Sequence, residues 1–126
     1  MIDHLSIGID DVGAAAEFYG PVLQSLDYKE LLRAEWGVGY GRERIVFIAI
    51  RPYDERPASV GNGVHVAFEA ESKAQVDAFH RAALELGGRC AGPPGPRPAL
   101  GENAYAAFVN DPTGHKLEAI FGGFAS

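Results

Sequence analysis

The sequence predicts an α+β fold of two βαβββ modules, with mixed sheets that curl around a shared cavity. Three observations predict it. The same order of elements occurs twice, His4 and His65 occupy the same place in the first strand of each half, and a stretch rich in Pro, Gly and charge separates the halves. We therefore expect one domain, in which module one spans about 1–52, a linker 53–62 and module two about 63–126.

The first half opens with a strand and a helix. Residues 2–9 read I-D-H-L-S-I-G-I, and this strict alternation indicates a half-buried strand. Asp10 and Asp11 are suitable N-caps for a helix over about 12–19, which Gly20-Pro21 is expected to end. Three apolar-rich segments then predict a meander of strands, at 28–36, 38–41 and 44–51.

The second half repeats this order from Gly63 onward. Alternation over 64–68 indicates a strand, and Ser72-Lys73-Ala74-Gln75 resembles a capping box that opens a helix to about Leu86. Gly87-Gly88 is a typical helix end. Three further segments predict the remaining strands: one that begins at Cys90 and is interrupted by a Pro-rich loop at 93–98, then 104–110 and 116–121, joined by a tight turn at Asp111-Pro112-Thr113-Gly114.

Composition excludes several classes of protein. The formal net charge of −6 argues against a nucleic-acid partner, since phosphate binding needs clustered Lys and Arg. Cys90 is the single cysteine, so an intrachain disulfide is excluded; we interpret it as structural and expect a cytoplasmic protein. The sequence contains neither an apolar run long enough for a membrane span nor the basic and apolar regions of a signal peptide, so we expect no membrane partner.

Three residues form the candidate site: His4, His65 and Glu118. Each is predicted in the middle of a strand, on the face opposite the main apolar row. If the strands curl around one cavity, all three side chains point into it. Two neutral imidazoles and one carboxylate are the ligand set of a facial divalent-metal site with open positions, which Fe²⁺, Mn²⁺, Ni²⁺, Co²⁺ or Zn²⁺ can occupy.

Each of these residues also has an ordinary structural interpretation. A single strand histidine is usually a core or surface residue, and a single glutamate near a C-terminal strand is usually solvated. The matched positions of the histidines are what favour the metal site. His80, on the second helix, and His115, after the turn glycine, are weaker candidates.

Three segments resemble the vicinal-oxygen-chelate superfamily, which includes glyoxalases, bleomycin-resistance proteins and extradiol dioxygenases. IDHLSIGIDDVGAAAEFYGPVL is similar to the opening strand and helix of one module, and GNGVHVAFEAESKAQVDAFHRAALELGG to the start of a second. AYAAFVNDPTGHKLEAIF resembles the closing hairpin, in which D-P-x-G-x-x-x-E carries a metal-ligand glutamate. The resemblance covers nearly the whole chain.

The resemblance implies that His4, His65 and Glu118 hold a divalent metal. A fourth ligand position lies in the last strand of module one, where aligning RIVFIAI with HKLEAIF places Phe47. Because Phe47 cannot ligate a metal, glyoxalase I and methylmalonyl-CoA epimerase activities are not expected. The remaining set resembles the catalytic modules of extradiol dioxygenases, although those proteins are usually longer. The family also implies a homodimer.

Several residues are candidates for substrate contact. Tyr40, Tyr105 and Phe47 either line the cavity or pack in the core, and Arg97 is a candidate partner for an anionic substrate. The loop 91–102 is either a lid over the pocket or a Pro-rich surface connection.

Two functions from different classes follow. The first is a metal-dependent enzyme, dioxygenase-like or lyase-like, that binds a small substrate through vicinal oxygens. The alternative is a metal-free small-molecule binding or sequestering protein of the bleomycin-resistance type, in which the histidines and the glutamate only pack. The sequence does not identify the substrate.

Overall fold

A computed structural model of the chain describes residues 1–124 and shows two compact units, Met1–Val60 and Gly61–Ser126. The first unit contains one helix and four strands: β1 (Leu5–Gly8), α1 (Val12–Gln24), β2 (Lys29–Ala34), β3 (Gly37–Gly41) and β4 (Ile45–Ile50). Its sheet has the order β1-β4-β3-β2, in which β1 runs parallel to β4 and the other pairs are antiparallel.

The second unit has the same topology. Its elements are β5 (His65–Glu69), α2 (Lys73–Glu85), β6 (Arg89–Pro96), β7 (Tyr105–Asn110) and β8 (Lys116–Phe121). The sheet order is β5-β8-β7-β6, and β5 runs parallel to β8. The prediction of an α+β chain with two βαβββ modules is therefore confirmed.

The helix of each unit covers one face of its sheet. In the second unit, α2 packs on β6, β7 and β8 and buries Val76, Phe79 and Ala83 completely. A fully buried Phe79 side chain stabilises the fold by about 2–3 kcal/mol relative to an exposed one. Side chains alternate across a strand, so the opposite face of this sheet carries the residues between the buried ones. That opposite face holds the candidate site.

Both helices begin at the capping residues that the sequence indicates. Asp11 caps α1 by accepting a hydrogen bond from the Ala14 backbone at 3.0 Å. Ser72 caps α2, and its hydroxyl accepts from the Gln75 backbone at 3.1 Å. Gly87, at φ 96°, follows the C-cap residue of α2 and turns the chain away. Each helix has 13 residues, and nothing in 1–124 is a helix long and apolar enough to cross a membrane.

The expected end of α1 at Gly20-Pro21 is wrong, because the helix continues to Gln24. A proline inside a helix loses one hydrogen bond, and it usually clashes with the Cβ of the preceding residue. Here the preceding residue is glycine, which has no Cβ. The continuation completely buries Val22 and Leu23, and this packing offsets the lost hydrogen bond.

The predicted Pro-rich loop at 93–98 is also partly wrong, because β6 extends through Pro93 and Pro94 to Pro96. This strand lies at the edge of the sheet, where a proline leaves no ladder hydrogen bond unmade. The pairing of β6 with β7 shifts register between Cys90 and Gly92 and again between Gly92 and Gly95, and these irregularities accommodate the proline rings. The first half of the suggested lid, 91–102, is therefore part of the sheet.

The two histidines lie at strand ends rather than mid-strand. His4 precedes β1 by one residue and His65 is the first residue of β5. Side chains at these ends are less enclosed by neighbouring strands than a central residue such as Glu118, and both histidines are exposed whereas Glu118 is buried.

A buried aspartate fixes the turn between β7 and β8. One carboxylate oxygen of Asp111 accepts hydrogen bonds of 2.8–3.0 Å from the backbone N–H groups of Thr113, Gly114 and His115, and one of 2.9 Å from the Thr113 hydroxyl. This turn sets the register of β8 against β7, and thereby the position of Glu118.

We predict that Asp111→Ala lowers the free energy of unfolding by about 2–4 kcal/mol, because it leaves several buried donors without an acceptor. Asp111→Asn keeps an acceptor oxygen and should lose about half as much. Urea denaturation followed by circular dichroism measures both changes. An alanine variant within about 0.5 kcal/mol of the wild type would contradict this role of the turn.

A second prediction concerns Tyr40, which is fully buried and whose hydroxyl has no hydrogen-bond partner in the part of the chain that the structure describes. Burial, reinforced by the negative charge of Glu30, raises the pKa of Tyr40 from 10.0 to about 12. Between these values the unfolded chain loses the phenolic proton while the folded chain keeps it. Folding stability therefore falls as the pH rises above 10, by up to about 2 kcal/mol near pH 12.

Tyr40→Phe should remove this alkaline loss and be as stable as the wild type at pH 7, or up to about 1 kcal/mol more stable, because it deletes a buried unpaired hydroxyl. Urea denaturation of both proteins at pH 7 and at about pH 11 tests this. Parallel losses in the two proteins would show that Tyr40 ionises normally in the fold.

Candidate metal centre

The candidate site in the second unit is a histidine–carboxylate pair on the sheet face opposite α2. Nε2 of His65 lies 3.0 Å from Oε1 of Glu118, within hydrogen-bond distance. Glu118 is only 4% exposed, whereas the His65 side chain is 44% exposed. The parallel pairing of β5 with β8 sets Glu118 beside Ala67, two residues after His65 on the same face. The strand register thus brings these two predicted residues together.

The donor set of this pair fits two neighbouring positions on a metal ion. A carboxylate oxygen and an imidazole nitrogen each bind such ions at about 2.1 Å, and two such ligands at a right angle lie roughly 3.0 Å apart. The observed separation of Nε2 and Oε1 is 3.0 Å. A shared proton occupies this position equally well, so the pair is suited to a proton or to a metal ion.

The third predicted ligand, His4, lies in the first unit and has a carboxylate partner of its own. Its Nδ1 lies 2.7 Å from Oδ1 of Asp3, which also forms an ion pair of 3.5 Å with Arg44. The hydrogen bond with His4, and then the charge of Arg44, lower the pKa of Asp3. Because a carboxylate on Nδ1 selects the tautomer whose Nε2 lone pair is free, this arrangement prepares Nε2 for a ligand.

The structure therefore brings two of the three predicted ligands into contact. Within residues 1–124, no group of three or more His, Cys, Asp or Glu side chains is arranged to hold a metal ion. His65 and Glu118 form the pair in the second unit, and His4 belongs to the first.

Phe108 is a site residue that the sequence analysis missed. It is directly opposite Glu118 in the β7–β8 ladder, and its ring centroid lies 6.2 Å from that of His65. Two cations flank this ring: Nζ of Lys116 at 5.2 Å and the guanidinium carbon of Arg97 at 5.8 Å. The alternation of side chains along β8 places Lys116 on the same face as Glu118, two residues before it, and this can be inferred from the sequence. Its proximity to Phe108 cannot, because that depends on the register between β7 and β8.

Hydrogen bonds from the Arg97 side chain to nearby backbone carbonyls hold it on the candidate face. Its guanidinium donates hydrogen bonds to the carbonyls of Pro93 and Pro96, at 2.5 and 3.3 Å. A Cβ at Gly92 would lie 3.1 Å from the Phe108 ring and 3.4 Å from the guanidinium, so the glycine permits this close approach. Leu100, in the same loop, packs against Ala106 and Ile120 on this face. The part of the suggested lid after β6 thus covers one side of the candidate site.

Tyr105 lies on the opposite, helix-covered face. Its hydroxyl donates a 2.7 Å hydrogen bond to Asp77 of α2, and this bond raises the pKa of Tyr105. The tyrosine lines a separate cleft of about 590 Å³ with Lys73 and Asn103. A contact of Tyr105 with a substrate held at Glu118 therefore finds no support in the structure.

Tyr40 and Phe47 lie in the core of the first unit, at 0% and 1% exposure. The Phe47 ring packs 5.3 Å from that of Tyr19 on α1, so both lie on the helix side of the sheet. As the fold stands, neither offers surface to a ligand. From the sequence these two aromatic residues are candidates either for cavity lining or for core packing, and in the structure both pack in the core.

The register also corrects the alignment that placed Phe47 at the fourth ligand position. In the second unit Ala67 pairs with Glu118, and in the first unit Ser6 pairs with Ile48. Ser6 follows His4 by two residues, as Ala67 follows His65, so Ile48 is the counterpart of Glu118. The earlier alignment was one residue out of register, and one residue exchanges the two faces of a strand.

The two weaker histidine candidates have other partners. The buried His115 belongs to the Asp111 turn, through its backbone N–H. Nε2 of His80 lies 3.2 Å from the sulfur of Cys90, and burial lowers the pKa of this histidine. Cys90, interpreted from the sequence as structural, is exposed and makes this contact with His80.

Comparisons with known proteins agree on one family. The family model described as Glyoxalase/Bleomycin resistance protein/Dioxygenase superfamily matches residues 1–119. The uncharacterized protein YqjT of Bacillus subtilis (strain 168) is 30% identical over 93% of this chain and 95% of its own length. A glyoxalase/bleomycin resistance protein from Albidiferax ferrireducens T118 is 31% identical, with a TM-score of 0.84 over 94% of this chain and 96% of that one.

A lactoylglutathione lyase from Agrobacterium tumefaciens shares the fold at 22% identity, with a TM-score of 0.65 over 97% of this chain and 93% of that one. At this identity the likeness concerns the fold alone. The family match covers nearly the whole chain, and the repeated βαβββ units agree with the fold of the similar structures. The chain belongs to the glyoxalase/bleomycin resistance protein/dioxygenase superfamily.

Proposed function

We propose that this protein is a divalent-metal-dependent enzyme that binds a small substrate through vicinal oxygens, with His4, His65 and Glu118 as the protein ligands. The observation that carries the proposal is the buried Glu118 carboxylate, held 3.0 Å from the half-exposed His65. Burying a carboxylate is costly unless it is paired, and a packing role alone would be met at lower cost by an apolar residue.

The chemistry of the ligand set supports this proposal. Two neutral imidazoles and one carboxylate leave a divalent ion with a net charge of +1 and with open positions for two substrate oxygens. Fe²⁺, Mn²⁺, Ni²⁺, Co²⁺ and Zn²⁺ all accept such ligands. When bound, the ion would supply Lewis-acid polarisation of a substrate oxygen, or O₂ chemistry if it is iron.

The residues around the pair define the tasks of the protein itself. Arg97 and Lys116 bring positive charge to the Phe108 ring, which favours an anionic substrate with an apolar or aromatic body. Leu100 and the loop that carries it limit the access of water from one side. Glu118 orients His65 through their hydrogen bond.

The proposed site can take His4 from the same chain or from a second copy of the protein. We propose a homodimer, and the first unit of the same chain or of its partner copy supplies this histidine. The hydrogen bond between Asp3 and His4 orients the imidazole in either case. We further propose a cytoplasmic site of action and a small-molecule substrate, because a single cysteine and a net charge of −6 suit a reducing compartment and do not suit nucleic-acid binding.

A metal-free binding protein is the second candidate, and one observation favours it. In the described residues 1–124, the metal-capable side chains do not form a group of three. In this alternative the His65–Glu118 pair is a hydrogen-bonding group on the wall of a ligand cleft, and Phe108 with its flanking cations binds the ligand directly.

The first prediction from the proposal is that the wild type binds one divalent ion per chain after anaerobic reconstitution, and that Glu118→Gln lowers the affinity at least about 100-fold. The amide keeps the shape of the side chain but removes the only anionic ligand. Isothermal titration and elemental analysis measure the effect. His80→Asn is the matched control, because it removes a histidine of the same unit and should leave affinity unchanged.

A mixing experiment locates His4. If the site is shared between two copies, a refolded mixture of His4→Ala and Glu118→Gln chains regains a fraction of the intact sites; if it lies within one chain, the mixture stays inactive in metal binding. The absence of metal uptake by the wild type under reducing conditions would favour the metal-free alternative.

The second prediction is that the methylglyoxal–glutathione adduct is not turned over, because Ile48 occupies the position where a fourth ligand and carboxylate base would stand. Ile48→Glu adds that carboxylate on the same face as His4. The variant should stay folded, because Ile48 is only half-buried, and should bind metal more tightly than the wild type.

Phe47→Glu is the matched control, since it buries a carboxylate in the core and should cost at least about 3 kcal/mol of stability without a gain in metal affinity. Steady-state assays of adduct turnover and metal titrations distinguish the two variants. Robust turnover by the wild type would mean that another residue serves as the base.

A further inference from the structure

We propose that a cleft in the first unit binds a small organic cation of the methylated-ammonium class. The cleft has a volume of about 450 Å³ and lies between the β2–β3 turn, the end of β4 and the loop after it. It shares no residue with the candidate metal centre. Its chemical character comes from two aromatic rings, two carboxylates and one guanidinium: Trp36, Tyr53, Glu35, Glu55 and Arg51.

The aromatic rings are the first part of the argument. Trp36, the only tryptophan in the sequence, is 46% exposed, and Tyr53 is fully exposed. Apolar residues exposed singly need no explanation, but two aromatic side chains that line one cleft offer a ligand a shared apolar surface. The face of an indole ring is the best aromatic partner for a cation, and a methylated ammonium group, which is weakly hydrated, loses little solvation on contact with it.

The charges select the sign of the ligand. Glu35 and Glu55 contribute two negative charges to the cleft and Arg51 contributes one positive charge, so the lining has a net charge of −1. Neither carboxylate forms an ion pair or a side-chain hydrogen bond with another residue in the described range 1–124. Both remain available to a ligand, and the net negative charge favours a cation over an anion.

The wall of the cleft is held in place by backbone hydrogen bonds. The Arg51 N–H donates to the carbonyl of Trp36 at 2.8 Å, and the Glu55 N–H donates to that of Pro52 at 3.0 Å. Glu55 adopts a left-handed backbone, with φ 62°, which non-glycine residues seldom adopt unless the surroundings require it. Further along the loop, the Ala58 N–H donates to the Asp10 side chain at 2.8 Å, which ties the loop to the residues just before α1. The backbone of the cleft wall is therefore held in place before a ligand arrives.

Choline is the probe for this site, and Trp36 reports its binding through intrinsic fluorescence. We expect a saturable change at low ionic strength, with a dissociation constant on the order of 1 mM. The neutral carbon analogue 3,3-dimethylbutan-1-ol has the same shape without the charge and should bind at least about fivefold more weakly. Protein treated with a chelator should behave identically, so that failure of the metal proposal does not affect this result.

Two variants test the assigned residues. Glu35→Gln/Glu55→Gln should weaken choline binding about fivefold, whereas Glu17→Gln/Glu85→Gln, which changes the same net charge on the exposed faces of α1 and α2, should leave it unchanged. Trp36→Leu, followed by ligand-observed nuclear magnetic resonance, should weaken it by at least about fivefold. Because all these side chains are exposed, none of the changes threatens the fold.

Three results would overturn the proposal. One is a fluorescence titration that shows no saturable change up to a choline concentration on the order of 50 mM. Another is equal affinity for choline and its neutral analogue, which would identify an apolar cleft without charge selection. The third is an unchanged affinity of the Glu35→Gln/Glu55→Gln protein.

Discussion

The parallel pairing of the first and last strands is the constraint on which the rest of each unit depends. Because of this pairing the first strand also runs parallel to the second, which lies at the opposite edge of the sheet, so the two are joined by a crossover that contains the helix of each unit. The helix covers one face of its sheet and reserves that face for apolar side chains. The other face is left for polar groups, and the register of the same parallel pair decides which of them meet.

In the second unit this register places a carboxylate in an unfavourable environment. Glu118 stands between Leu117 and Ala119, which are fully buried on the helix side, and it is itself almost inaccessible to water. A buried, unpaired carboxylate costs several kcal/mol, and the hydrogen bond with His65 offsets part of that cost. A divalent ion at the same oxygen would offset more of it. The energetic penalty of burying Glu118 is therefore the physical basis of the proposed metal site.

Much of this could be predicted from the sequence, because the apolar periodicity is strong in both halves. The alternation around His4 and His65, the caps at Asp11 and Ser72, and the strand that carries Glu118 all depend on local patterns. The continuation of α1 past Pro21 could not be predicted, since it depends on how well Val22 and Leu23 pack in three dimensions.

In the candidate site, too, the residues recognised from local sequence patterns were predicted, and the contacts between distant strands were not. The identity of Glu118 was evident from its motif, but its contact with Phe108 and the counterpart position at Ile48 both depend on the pairing of distant strands. A one-residue error in an ungapped alignment was enough to select Phe47, which faces the core, instead of Ile48, which faces the other way. Pairing register is a tertiary property, and apolar segments such as β4 contain few polar residues that would reveal it.

The two units differ at the positions that correspond to one another in the repeated fold. The same topology places a histidine at the start of the first strand in both, yet the position beside it holds isoleucine in one and glutamate in the other. In the first unit the histidine takes its carboxylate partner from the preceding residue, Asp3, through Nδ1. In the second unit the partner comes from β8 through Nε2. The first arrangement leaves Nε2 of His4 free, and the second supplies an anionic oxygen beside an imidazole. The two histidines are thus not interchangeable: Nε2 of His65 already contacts a carboxylate, whereas His4 contacts its carboxylate through Nδ1 and presents Nε2 to the proposed metal ion.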